Sequence, residues 1–149
     1  MTLRVAVAGA SGRMGRMLIE AVEAAPDCTL AGTLDIGRDV AAGLADAQVL
    51  IDFTRPEGTM AHLAACRELG VKAVIGTTGF TPAQKAEIGA HAQHVALLLS
   101  ANMSVGVNVV LGLLATPLIL RVVIRPERVD FGAARRVIER AVVNLGPMK

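Results

Sequence analysis

Tryptophan and tyrosine are absent, and Phe53, Phe80 and Phe131 are the only phenylalanines. Without aromatic rings there is no platform on which bases can stack. A net charge of +2 adds too little positive field to hold a polyanion, so no nucleic-acid partner is expected. Charged residues make up only 19% of the chain and hydrophobic ones 53%, a balance that excludes intrinsic disorder. Cysteine is scarce too. Cys28 and Cys66 are far apart in the chain and form no metal-ligand motif with paired spacing, which argues against a disulfide scaffold and a zinc site and fits reduced, buried thiols in a cytoplasmic protein. No metal ligands are expected. The start, Met1-Thr2-Leu3-Arg4-Val5, lacks the basic region, apolar region and cleavage site of a signal peptide. Val95–Leu120 is the one stretch apolar enough to suggest a membrane span. Ser100, Asn102, Ser104 and Asn108 interrupt it, and Gly106, Gly112 and Pro117 weaken it, so no membrane partner is expected.

What remains is rich in Ala, Val, Leu and Gly, which suits buried parallel strands covered by helices. A chain of 149 residues holds one such domain, taken as residues 1–149. Leu3–Ala8 is an apolar run ending in Gly9 and reads as a buried strand. Arg13–Ala24 spaces Met14, Met17, Leu18, Ala21 and Val22 as one helix face. Cys28–Leu34 and Gln48–Phe53 are the second and third strands. Thr54-Arg55-Pro56-Glu57 has the pattern of a capping box and opens a helix ending near Gly70. Val71–Ile75 is a fourth strand. Thr81-Pro82-Ala83-Gln84 is a second capping box with proline at the first helical position, starting a helix to about Ala92. Val95–Leu99 and Ser104–Ala115 complete the alternation, which predicts an α/β doubly wound parallel sheet of Rossmann type. Beyond it, Leu118–Ile124 reads as a strand. Asp130 then caps a helix with Phe131, Ala134, Ile138, Ala141, Val142 and Leu145 on one face and Gly146 as its stop. Six arginines fall within Arg121–Arg140 and read as a solvated face rather than an anion site.

Gly9-Ala10-Ser11-Gly12-Arg13-Met14-Gly15 lies between the first strand and the first helix, where a glycine-rich turn can present a helix N-terminus to phosphates. In that pattern Gly9 permits the tight turn, Gly12 lets a pyrophosphate approach the backbone, and Gly15 lets helix and strand pack closely. Asp35, twenty residues beyond Gly15 at the end of the second strand, is positioned to accept the hydroxyls of an adenosine ribose. A carboxylate there repels a 2′-phosphate and so favours NADH, unless Arg38 supplies a compensating cation. Gly76-Thr77-Thr78-Gly79 and Ala101-Asn102-Met103-Ser104 follow the fourth and fifth strands, at the edge where ligands bind open α/β sheets.

Four segments stand in order: Val7–Gly15, Ile51-Asp52-Phe53-Thr54-Arg55-Pro56-Glu57-Gly58, Val74–Phe80, and Ala101-Asn102-Met103-Ser104-Val105-Gly106-Val107-Asn108. Together they resemble the 4-hydroxy-tetrahydrodipicolinate reductase (dihydrodipicolinate reductase) family, nicotinamide-dependent enzymes of lysine and diaminopimelate biosynthesis. The resemblance covers residues 1 to about 115. It implies that Gly9, Ala10, Ser11, Gly12, Arg13 and Met14 hold the pyrophosphate and that Asp35 holds the adenosine ribose. Gly76, Thr77 and Thr78 together with Ala101, Asn102, Met103 and Ser104 would hold the nicotinamide half. Family members carry an Arg directly after the ribose acid. Here that residue is Ile36, so NADH is the expected cofactor and NADPH a weaker one.

The sequence departs from the family in two larger ways. Only sixteen residues separate Asp35 from Asp52, fewer than is usual there. The family's His-His-x-x-Lys segment and Pro-Ser-Gly-Thr-Ala loop, which belong to its inserted substrate domain, are both absent. Residues 116–149 thus read as a short strand and a C-terminal helix in that domain's stead. The family's usual tetramer is built largely through the domain missing here, which leaves homo-oligomer formation open. No catalytic set fills the gap: His62, His91 and His94 read as surface histidines, and Lys72 and Lys85 as solvated charges. Two readings follow. One is a reductase-family protein retaining its NAD(P)H-binding part, and the other is a non-catalytic dinucleotide-binding module derived from that family.

Overall fold

A computed structural model describes residues 2–100 of the chain. The elements run β1 (Leu3–Ala8), α1 (Arg13–Glu23), β2 (Cys28–Leu34), α2 (Val40–Leu44), β3 (Val49–Asp52), α3 (Pro56–Leu69), β4 (Lys72–Ile75), α4 (Pro82–His91) and β5 (Leu97–Leu99). All pairings are parallel and the strand order is β2-β1-β3-β4-β5. From β1 the chain steps to β2 on one side and then crosses back past β1 to β3 on the other. A crevice therefore opens at the carboxyl ends of β1 and β3, where open α/β sheets bind ligands.

Strand periodicity decides which helix covers which face. Val5, Val7, Val49, Ile51 and Val74 point to one side and pack with Leu18, Ala21 and Val22 of α1. Ala6, Ala8, Leu50, Ala73 and Ile75 point to the other and pack with Leu44 of α2, Leu63 and Cys66 of α3, and Ile88 of α4. Both sides of β1 are thus covered, and Val5 through Ala8 are each 0% exposed. The same alternation puts Asp52 on the α3 side with Leu50, and Thr77 on that side with Ile75. Cys28 and Cys66 are buried in these two different clusters.

Most expected elements are present, with ends shifted by one or two residues, as at Val49–Asp52 and Leu97–Leu99. The Thr81 capping box forms: the Thr81 hydroxyl accepts from the Gln84 N–H, and the Gln84 side chain accepts from the Thr81 N–H. The α3 helix ends at Gly70, whose φ of +69° is a left-handed cap. The capping box expected at Thr54 does not form. Pro56 occupies the first turn, so Arg55 is the N-cap, and the Thr54 hydroxyl instead donates to Asp52. The short α2 helix was not expected. It is a single capped turn, with Asp39 accepting from the N–H groups of Ala41 and Ala42. The expected helices Ser104–Ala115 and Phe131–Leu145, the strand Leu118–Ile124, the arginine-rich Arg121–Arg140 and the loop Ala101–Ser104 lie outside the described residues.

Candidate dinucleotide site

The turn from β1 into α1 is shaped by its glycines. Gly9 has φ +74°, and its N–H and that of Ala10 both donate to the Leu34 carbonyl, tying the turn to the end of β2. Gly15 is needed for packing, because a Cβ there would overlap the Gly9 carbonyl oxygen. Gly12 is different. Among the described residues a Cβ on it would meet only the Gly9 oxygen, at 3.2 Å, a tight contact that a shift of a few tenths of an ångström would relieve. As the N-cap of α1, Gly12 also brings no side chain to cover the first turn, whose N–H groups are open to an anion.

Asp35 stands beside this turn. One carboxylate oxygen accepts the Ser11 N–H at 2.8 Å and the other accepts the Ile36 N–H at 3.0 Å. Ser11, chiefly through its side chain and then its amide, holds the Asp35 carboxyl below its ordinary pKa of 3.8, helped by Ile36 and the Arg38 charge. Each oxygen retains capacity for a further donor such as a ribose hydroxyl. Arg38 lines a shallow hollow of about 470 Å³ with Thr33, Asp39, Ala42 and Gly43, and Ile36 is 97% exposed.

The loops after β3 and β4 complete the described part of this edge. Phe53 lies over Gly76, where any Cβ would run into its ring. Thr77, named with Gly76 and Thr78 for the nicotinamide half, is buried and its hydroxyl turns inward, donating to Asp52 at 3.2 Å and accepting from Thr59 at 3.0 Å. Only Thr78 presents an exposed side chain on this loop.

Beneath these loops lies a buried polar cluster. The His62 Nδ1–H donates to Asp52 at 2.8 Å, and the Thr54 N–H and hydroxyl both donate to the other Asp52 oxygen, at 2.9 and 2.6 Å. Burial acts to raise the Asp52 pKa, but the hydrogen bonds from His62 and Thr54 outweigh it and the carboxyl titrates below 3.8. The surface reading of His62 is therefore overturned, for the residue is only 9% exposed. The signal was in the sequence: Thr59, His62, Leu63 and Cys66 fall at the spacing of one buried helix face. His91 is also buried, at 8%, with Nε2 4.0 Å from Glu87, whereas His94 is exposed as expected. Burial, reinforced by the Asp52 charge, pushes the Cys66 thiol up to about 12. Among the described residues no three His, Cys, Asp or Glu side chains group as metal ligands, and no helix is long and apolar enough to cross a membrane.

Gly9, Ala10, Ser11, Gly12, Arg13, Met14 and Asp35 thus converge at the crevice, and Gly76, Thr77 and Thr78 lie on the same edge two strands away. Ala101, Asn102, Met103 and Ser104 fall beyond the described residues.

Comparison with known proteins agrees with this geometry. Residues 3–103 match the family described as dihydrodipicolinate reductase, N-terminus. The 4-hydroxy-tetrahydrodipicolinate reductase of Burkholderia mallei (strain SAVP1) is 54% identical over 135 residues, covering 76% of this chain and 50% of that protein. Its counterpart in Burkholderia pseudomallei (strain 668) is 54% identical over 134 residues, covering 75% and 51%. The chain therefore spans about half the length of these relatives. Among solved structures, a dipicolinate-bound dihydrodipicolinate reductase from Paenisporosarcina sp. TG-14 superposes with a TM-score of 0.63 at 22% identity, over 71% of this chain and 49% of that one. An amine dehydrogenase from Mycobacterium smegmatis superposes at 0.55 with 16% identity, over 75% and 44%. These two likenesses concern the fold alone. By the span of residues 3–103 and the identity to its relatives, the chain belongs to the dihydrodipicolinate reductase family and matches its N-terminal part.

Proposed function

We propose that this chain binds NADH across the carboxyl ends of β2, β1, β3 and β4, as the dinucleotide-binding part of a reductase of lysine and diaminopimelate biosynthesis. The single observation that carries the reading is the joining of Asp35 to the glycine-rich turn through the Ser11 N–H. This bond puts a carboxylate for ribose hydroxyls beside the open first turn of α1. Gly9, Ala10, Ser11, Gly12, Arg13 and Met14 would hold the pyrophosphate and Asp35 the adenosine ribose. Gly76, Thr77, Thr78, Ala101, Asn102, Met103 and Ser104 would meet the nicotinamide half, with Thr77 acting through its backbone because its hydroxyl is engaged inward. The cradle fits such a cofactor, because a side chain on Gly12 would enter the pyrophosphate's path without meeting more of the protein than the Gly9 oxygen. When bound, the nicotinamide supplies a hydride; this chain's residues orient the ring and balance the phosphate charge.

On this reading residues 1–149 act as one binding domain in the cytoplasm, where nicotinamide cofactors are supplied. The alternative, a module that binds dinucleotide without turnover, is favoured by one feature, the absence of any His-His-x-x-Lys segment. Titration separates binding from its absence. NADH fluorescence and the melting temperature should both respond saturably to cofactor. Gly12→Val should melt close to the parent and lose the response, because its branched side chain occupies the pyrophosphate's approach. A folded parent that is silent at millimolar NADH, or a Gly12→Val variant that binds normally, would overturn the reading.

A further inference from the structure

The cluster around Asp52 has one direction. Thr59 donates to Thr77, Thr77 donates to Asp52, and the Thr54 hydroxyl donates to Asp52. The Thr54 N–H is shared between Asp52 and Thr77, at 2.9 and 3.0 Å. One carboxylate oxygen thus collects the donors from both loops, and His62 holds the other oxygen from α3. A carboxylate can rotate about its own bond. The His62 contact fixes that rotation, and with it the directions in which Thr54 and Thr77 bond.

These bonds reach the ligand edge by contact. The Thr54 methyl lies against Gly9, so close that a Cβ on Gly9 would sit 3.1 Å from it. Phe53, the preceding residue, lies over Gly76. The Phe53–Thr54 pair therefore touches the glycine-rich turn with one side chain and the β4 loop with the other. A helix stripe that served burial alone would be filled by another aliphatic residue, since leaving a buried polar group unbonded costs about 1–3 kcal/mol.

We propose that His62 is a positioning residue for the nicotinamide half of the site: through Asp52 it sets Thr54 and Thr77, and so holds the Phe53–Thr54 and Gly76–Thr78 loops in the register a dinucleotide needs. The inference rests on the NADH reading above. It requires that His62 act more strongly on the nicotinamide side, through Phe53 and Gly76, than on the turn where the Thr54 methyl meets Gly9 and on the adenosine side built by Asp35 and Ser11.

The test compares NADH with ADP-ribose, which lacks the nicotinamide, in the parent, His62→Leu and His62→Asn, with melting curves for each. The Asn amide can donate from about the place of Nδ1. His62→Leu should weaken NADH about tenfold and ADP-ribose less than about twofold, and His62→Asn should recover most of the loss. If His62→Leu does not fold, Thr59→Val serves in its stead: it keeps the shape, removes the donor to Thr77, and should weaken NADH about threefold with ADP-ribose unchanged. Parallel loss of both ligands, no loss of either, or no rescue by Asn would overturn the inference while leaving the NADH reading intact. A folded parent that binds neither ligand would overturn the NADH reading, and this inference with it.

Discussion

Ile36 follows Asp35, the residue proposed to meet the ribose, and is 97% exposed. It offers a 2′-phosphate no positive charge, and the Asp35 carboxylate, held ionised by Ser11, repels one. Arg38 is near enough to favour the Asp35 charge, but it lies over the hollow beside Asp39 and Gly43. The expected outcome is tighter binding of NADH than of NADPH by the parent. Ile36→Arg should narrow the gap by roughly two- to fivefold, the scale of an exposed ion pair, and raised salt should reopen it. Competition titrations with both cofactors read this directly. Equal affinities in the parent would mean that Arg38 already provides the cation, or that the ribose lies elsewhere.

Between elements, the sequence was legible where one local signal met no competitor. Thr81 and Gln84 formed their capping box because nothing nearby offered either side chain a stronger partner. At Thr54 the same pattern failed because Pro56 starts the helix one residue later, with Arg55 as its N-cap, and the Thr54 hydroxyl turns back to donate to Asp52. His62 was misread for a related reason: as a lone polar residue in a helix it looks solvated until β3 is known to aim Asp52 at the same face. The placement of the glycine-rich turn and of Asp35 was legible because it depends on strand–turn–helix order, which periodicity reveals. The inward turn of Thr77 depends on a partner eighteen residues back in the chain, at Thr59. Linking β3 to α3 through Asp52 also has a consequence in acid. The Asp52 carboxyl is lowered in the folded protein, so its stabilisation is complete above the unfolded value of 3.8 and is lost as pH falls through the lower folded value. Urea unfolding should therefore show stability declining below about pH 4. Asp52→Asn should be less stable at neutral pH by about 1–3 kcal/mol and have a shallower acid limb. Matching limbs in parent and variant would show that Asp52 titrates alike in both states.

For the whole molecule, the question is whether a binding edge amounts to an enzyme. Hydride transfer needs a substrate held within about 3–3.5 Å of the reactive carbon and in line with it. It also needs a proton donor, whose positioning contributes roughly 100- to 10,000-fold. The described residues offer no such donor at the ligand edge. His62 is buried against Asp52, and His91 ends α4 at the start of the return to β5. Lys72 opens β4 at the opposite edge of the sheet, and Lys85 is exposed on α4. The chain spans about half its relatives' length, and its sequence lacks the family's histidine–lysine segment. NADH, freshly made cyclic imine dicarboxylate and this chain should therefore give turnover near background, even at cofactor concentrations that saturate the melting shift. Following NADH absorbance with and without protein reads the result. Robust oxidation that disappears in Gly12→Val would reverse this expectation. It would direct the search for a substrate site to Asn102, Thr77 or the group Arg121, Arg125 and Arg128, whose guanidinium groups have the chemistry to hold carboxylates.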